Sequence, residues 1–184
     1  ISGWDSHDST SHRRPVANFS EKLRDGVEKM RFALPKEYFH QKGINGEVKA
    51  AVLHAADCYK RAGAQVEEVS IPSLSLALPA YYLLSSAEAS SNLSRYDGIK
   101  YGYRSKNSET LADLYSNTRG EAFGTEVKRR ILLGTFVLSS GYYQNYYKKA
   151  MQARAKIAEE LEKIWKHYDI ILSPVAPTTA FPYG

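Results

Sequence analysis

Arg129 and Arg130 are the two residues of this sequence best placed for chemistry on a ligand. They close the string EVKRR at 126–130 and stand at the polar end of the most apolar run in the chain, 131–138. A planar guanidinium offers a carboxylate a two-point contact that a lysine ammonium cannot reproduce. At the mouth of a buried helix such a group would be held rigidly. On spacing alone, however, Glu126 and Arg130 lie one helical turn apart. The simplest use of that spacing is a surface ion pair worth about a few tenths of a kcal/mol. Ser85 and Ser86 are candidate nucleophiles by type. No histidine or other base lies at an informative spacing from them, so they read as small packing residues with hydroxyls bonded to the preceding turn. Asp5, His7, Asp8 and His12 are metal-ligand types. Nothing in the sequence places them on one rigid face, and they read as a solvated loop with Asx and Ser turns.

The elements that must position these residues follow from periodicity. The run 121–149 reads as the organising stretch. Val127, Ile131, Thr135 and Leu138 fall at helical spacing, and the apolar run predicts a helix entering a core. Gly134, Ser139, Ser140 and Gly141 carry little side chain, so another backbone can come close there. Upstream, 30–34 alternates as a short strand stopped by Pro35, and 36–43 is a connection. A helix begins after Asn45, an N-cap residue type, with Glu47 in the first turn. Its apolar stripe is Ile44, Val48, Val52, Ala55 and Tyr59, and Gly63 ends it. A second strand covers 65–71 and stops at Pro72. Strand, helix and strand in that order form a βαβ unit with a right-handed crossover.

After Pro72 the pattern turns helical over 74–93, with Pro79 in a first turn. The serines and alanines of this helix would let a neighbour approach. Segment 95–108 is a loop around Asp97-Gly98, with Asp97, Lys100 and Arg104 as polar anchors. A short helix covers 111–115. The clearest helix is 147–168, with a stripe of Ile157, Leu161, Ile164, Trp165 and Tyr168 and with Glu159–Lys163 and Glu162–Lys166 pairs on the far face. Segment 169–173 reads as a strand buried on both faces. Pro174 stops it, and 175–181 is a loop at a strand's carboxyl end, where ligands bind in open α/β sheets.

Composition bounds the function. The 184 residues carry 25 Lys and Arg against 20 Asp and Glu, a net charge of +5. The basic residues are dispersed among acids, whereas a nucleic-acid footprint is clustered, so direct RNA binding by this segment is not expected. Cys58 is the one cysteine, which excludes an intrachain disulfide and fits a reducing, cytoplasmic setting. No apolar run reaches the roughly 18 residues of a membrane span, so no membrane partner is expected. The sequence starts at Ile1 and stops after a loop-like FPYG, and both ends read as cut.

Several long strings resemble one family. They are AEASSNL at 87–93 with the preceding Tyr81-Tyr82, RYDGIKYG at 95–102, EVKRRI at 126–131 and LSSGYY at 138–143. YYKKA at 146–150, DII at 169–171, PVAPTTAF at 174–181 and DSTS at 8–11 complete the set. They resemble the amidase signature family, in the branch that supplies the glutaminase subunit of tRNA-dependent amidotransferases. The resemblance runs over essentially all 184 residues. It implies an α/β amidase-signature fold, with helices around a mixed sheet, present here as a helix-rich partial domain spanning 1–184. It implies that the Ser–cis-Ser–Lys triad of the family lies upstream of Ile1, since no GGSSGG-like string occurs, and that the sheet continues past Gly184. No catalytic residue and no metal ligand is therefore expected in this chain. What the resemblance implies here is recognition of glutamine: Arg130 for its α-carboxylate and Tyr81 for the pocket wall, with Tyr82 the alternative to Tyr81. By the same resemblance the intact subunit releases ammonia from glutamine and works with B and C subunits in a heterotrimer. ATP and Mg serve the whole complex, and tRNA is met mainly through a partner subunit.

Two other readings remain. A stand-alone amide hydrolase of the same family would keep the fold without needing a carboxylate-binding arginine. A helical interaction module would use the tyrosines of 142–147 as a partner surface.

Overall fold

A computed structural model describes residues 2–39 and 43–183. The connection expected at 36–43 falls partly outside those residues, as do Ile1 and Gly184.

Three parallel strands form a small sheet in the order β2-β1-β3. Strand β1 (Arg31–Pro35) is central, and its burial explains its composition: Phe32 and Ala33 are closed off from solvent. A central parallel strand is covered on both faces and so tolerates a continuous apolar run. Helix α1 (Gly46–Arg61) crosses over to β2 (Gln65–Val69), giving the βαβ unit that the sequence predicts. The Asn45 side chain accepts the Glu47 N–H at 2.7 Å and the Val48 N–H at 3.4 Å, which caps two of the open donors of the first turn. Gly63 takes a φ of +94°, the left-handed conformation that ends the helix at low cost. Phe32 stacks on Tyr59 of α1 with ring centroids 4.6 Å apart.

Strand β3 (Ile170–Ile171) is shorter than expected and only half-buried. It stands at the edge of the sheet, paired on one side with Phe32 and Ala33 of β1. Among the described residues no element pairs with its other edge, and Ile170 and Ile171 are half-buried rather than covered on both faces as the apolar run predicts. Asp169 still anchors its start. Its carboxylate accepts the Arg31 N–H at 2.9 Å, and its own N–H donates to the Arg31 carbonyl at 2.9 Å. The resemblance implied a mixed sheet, whereas the three strands described are all parallel.

The second layer is helical. Helix α2 (Ala77–Asn92) follows a 3-10 turn over Pro72–Leu76, and Pro79 lies in its first turn as expected. Helix α3 (Leu111–Ala122) is longer than the short segment that the sequence suggests. Thr110 and Asp113 form a reciprocal capping box at its start, and Gly120 is carried inside the last turn. Helix α4 (Thr125–Leu138) is separate from α3, with Phe123 and Gly124 between them. Helix α5 (Tyr147–Trp165) is reached through turns over 139–146.

Helix α4 does not plunge into a core. Gly134 and Val137 are buried against α2, but Leu132 is 71% exposed and Phe136 41% exposed. The apolar run covers the whole helix circumference, while the fully buried residues lie on one face. That face carries Val127 and Ile131 of the expected stripe, and then Gly134 and Val137 instead of Thr135 and Leu138. Gly134 is there because nothing larger fits: a Cβ at that position would collide with the Ser86 carbonyl oxygen and with Ser90. The Ser90 and Thr135 hydroxyls share a hydrogen bond of 3.0 Å beside it. The small residues Ala80, Ser86 and Ala87 are the buried ones of α2, which is the close approach that its serines and alanines predict.

Helix α5 packs on the other side of α2, with Ala150 buried. Of its predicted stripe, Ile157, Leu161, Ile164 and Tyr168 are half-buried, but Trp165 is exposed. Glu159 and Lys163 pair at 2.7 Å, and the pair expected between Glu162 and Lys166 is not formed. Loop 95–108 is tied by residues that the sequence did not single out. Arg119 donates to the carbonyls of Leu93 and Tyr96, and Glu121 accepts from Tyr103 and Ser105. Of the expected anchors, Asp97 accepts the Ile99 and Lys100 N–H groups.

Candidate functional site

The arginine pair lies in the first two turns of α4, at the end of the α2–α4 contact. Glu126 sits in the first turn, where a negative charge complements the helix dipole. Its two carboxylate oxygens are divided between the arginines. Oε1 accepts Arg130 Nε at 3.1 Å, and Oε2 accepts Arg129 Nη1 at 2.8 Å. The sequence suggests only the first of these pairs, although Arg129 at i+3 is equally a neighbour on a helix.

The two arginines differ in surroundings. The Arg129 side chain is 72% exposed, against 36% for Arg130. Arg130 turns toward α2, where the Tyr81 hydroxyl lies against its guanidinium without the aligned hydrogen-bond geometry that Glu126 attains. Tyr81 first, and Glu126 second, hold the Arg130 pKa above its ordinary value, so the group is a permanent cation. The structure therefore brings Arg130 and Tyr81 together from two helices. Tyr82 is the next residue of α2, its ring 5.5 Å from that of Tyr81 and tilted by 60°.

Tyr81 borders two hollows. One is lined by Tyr38, Leu74, Leu78 and Pro79. The other is a cavity of about 270 Å³ between α2 and α5, lined by Ala80, Leu84, Ser85, Arg154 and Ile157. Tyr38 and Leu78 also line a third hollow with Ile44 and residues 174–177, at the carboxyl end of β3. That is the place where the sheet rule expects a ligand. Its loop is tied to the sheet layer by the Asn45 N–H, which donates to the Pro177 carbonyl at 2.8 Å, while Val175 and Phe181 project into solvent.

The candidate serines differ in their partners. Ser86 is buried at the α2–α4 crossing. The Ser85 hydroxyl is buried with no hydrogen-bond partner among the described residues, which corrects the expectation that it bonds to the preceding turn. Asp5 accepts the His7 N–H at 2.8 Å, and Asp8 accepts the Thr10 N–H and hydroxyl at 2.8 Å and 2.7 Å. These are the local Asx turns read from the sequence. The tyrosines of 142–147 pack on one another and on Phe136: Tyr142 lies 4.1 Å from Phe136, and Tyr143 stacks on Tyr147 at 5.1 Å.

Sequence reasoning missed Glu160. It interrupts the apolar stripe of α5 and accepts both the N–H and the hydroxyl of Ser73, at 3.0 Å and 2.6 Å. Its position three residues after Ile157, on the packed face, was the available signal. Those bonds hold its pKa below the ordinary carboxylate value. Among the described residues no helix is long and apolar enough to cross a membrane.

The sequence profile of the amidase family matches residues 1–184. The chain is 52% identical over 184 residues to the A subunit of glutamyl-tRNA(Gln) amidotransferase from Halothermothrix orenii, covering all of this chain and 38% of that protein. It is 52% identical over 181 residues to the same protein of Listeria innocua, covering 98% of this chain and 37% of that one. The chain thus spans 37–38% of the length of these curated relatives. The crystal structure of the A subunit of glutamyl-tRNA(Gln) amidotransferase from Thermotoga maritima is similar with a TM-score of 0.65 at 37% identity, over all of this chain and 34% of that one. A bacterial aryl acylamidase of the amidase signature enzymes matches at a TM-score of 0.59 and 18% identity, over 96% of this chain and 34% of that one, a likeness of fold.

Proposed function

The chain belongs to the amidase family, and from that premise we propose that it forms the substrate-recognition part of the glutaminase subunit of a tRNA-dependent amidotransferase. In this reading the whole subunit hydrolyses glutamine. The ammonia passes to a partner subunit, which amidates Glu-tRNA(Gln) using ATP and Mg. The assembly is a cytoplasmic heterotrimer with B and C subunits, and tRNA is held mainly by a partner. The family's Ser–cis-Ser–Lys triad is assigned to no residue of this chain. The reading is supported by identities of about half, over the full chain, to relatives that bear the amidotransferase name.

The observation that carries it at the site is the meeting of Tyr81 and Arg130 across the α2–α4 contact. Arg130 is given the glutamine α-carboxylate, for which a guanidinium fork suits both oxygens. Tyr81 walls the pocket. A substrate fixed at its carboxylate end presents its side-chain amide at a defined reach, and such positioning lowers the barrier without any contact to the reacting carbonyl. The role of these residues is thus to orient, while nucleophile and base come from elsewhere.

Ammonia release from glutamine and from glutamine α-amide, measured on the full-length subunit with its partners, tests this reading. Losing one charge-assisted contact should cost the α-amide roughly ten- to a hundredfold in kcat/KM. Equal rates on both substrates, or faster rates on apolar amides, would favour the stand-alone amide hydrolase instead.

A further inference from the structure

We infer that Glu126 is a positioning residue for Arg130, fixing which edge of the guanidinium is left for the ligand. This rests on the reading of Arg130 as the carboxylate-binding group. A guanidinium has five N–H donors in a rigid fork, one on Nε and two on each terminal nitrogen. Glu126 takes the Nε donor of Arg130 through Oε1. The terminal edge, with both Nη nitrogens, is thereby the one available for a bidentate contact. Arg129 holds the second oxygen of the same carboxylate at 2.8 Å, so the carboxylate itself is restrained from turning. One arginine binds the ligand, and the other steadies the residue that aims it.

Removing Glu126 would have two opposed effects. The loss of a negative charge makes the site more attractive to a carboxylate. The release of Nε lets the guanidinium rotate, and the paired geometry is lost. Both side chains have solvent contact, with Arg130 36% and Glu126 57% exposed. Water weakens the charge effect there, whereas the geometric effect remains. The positioning role therefore predicts weaker, not stronger, glutamine binding.

Steady-state glutamine kinetics of the full-length subunit with its partners decide the matter, using Glu126→Ala, Glu126→Gln, Arg130→Lys and the Glu126→Ala/Arg130→Lys double variant. Glu126→Ala should raise KM roughly five- to twentyfold, with a smaller fall in kcat as the bound amide is held less well in place. Glu126→Gln retains an oxygen to accept from Nε and should recover most of the loss. In the Arg130→Lys background Glu126→Ala should add nothing, since lysine has no Nε edge to aim, and such non-additivity marks two residues acting as one unit. An unchanged or lowered KM in Glu126→Ala overturns the inference. So does a Glu126→Gln variant as damaged as the alanine, or a double variant whose losses multiply. If Arg130→Lys is impaired while Glu126→Ala is not, the positioning role alone fails. If Arg130→Lys is itself unimpaired, the carboxylate site fails and the positioning role with it.

Discussion

At the residue scale, the proposed recognition of glutamine rests on how one carboxylate and one phenol bracket a guanidinium. Glu126 takes Arg130 from within α4 and Tyr81 meets it from α2. The Glu126 contact was legible, because a spacing of four is a neighbour on any helix. The Tyr81 contact was not, because periodicity says nothing about which helix a residue will face. Only the resemblance of the EVKRRI and Tyr81-Tyr82 strings to a known family named Tyr81 together with Arg130. Tyr81→Phe in the full-length protein keeps the ring and removes the hydroxyl. It should lower kcat/KM for glutamine about two- to tenfold, since a polar contact at a partly exposed cation is at the lower end of such contributions. Full activity in Tyr81→Phe would leave the hydroxyl without a role. Glu160 gives a pH-dependent contribution of known sign. Its folded pKa is depressed by the Ser73 bonds, so its stabilisation is present above the ordinary carboxylate pKa and is lost as pH falls through the folded value. The difference in melting temperature between the parent and Glu160→Gln should therefore be largest near neutral pH and shrink in acid. A difference that grows in acid would contradict the assignment.

At the element scale, the site depends on how closely α2 and α4 approach. Gly134 sets that distance, with the Ser86 carbonyl and Ser90 against it. Gly134→Ala would raise intrinsic helix propensity by about 1 kcal/mol. It would also force a Cβ into backbone, where overpacking costs roughly 1–3 kcal/mol. A net fall in melting temperature is expected, together with weaker glutamine binding as Tyr81 and Arg130 separate. A stabilised protein with unchanged KM would show that the contact can open without harm. The sequence disclosed the βαβ unit because caps and breakers marked it: Asn45, Gly63 and Pro72 punctuate it at the right places. It misjudged α4 because hydrophobicity all round a helix reads as burial, while burial is decided by what packs on each face. It underestimated α3 because 116–121 is polar and carries no apolar stripe, although the Thr110–Asp113 capping box opens a helix that runs to Ala122.

At the scale of the whole molecule, the chain has the amidase-signature α/β fold, with helices around a small parallel sheet. Much apolar surface is open: Leu132, Phe136, Val175 and Phe181 are all exposed, and one side of β3 is unpaired among the described residues. Such surface and such an edge promote association. The isolated 184-residue chain should bind a hydrophobic dye and sediment as more than a monomer, and a sharply melting, dye-negative monomer would contradict that. It should also release no ammonia from glutamine, because its sequence offers no Ser–Ser–Lys constellation and positioning does not replace a nucleophile. Activity of the pure chain would refute this. The central claim, that Arg130 binds the glutamine carboxylate, is tested most directly by Arg130→Lys and Arg129→Lys in the full-length protein. Arg130→Lys keeps the charge and loses the fork. It should lower kcat/KM for glutamine about ten- to a hundredfold while leaving glutamine α-amide almost untouched, with Arg129→Lys far milder. Unchanged glutamine kinetics in Arg130→Lys, or the larger loss in Arg129→Lys, would contradict it.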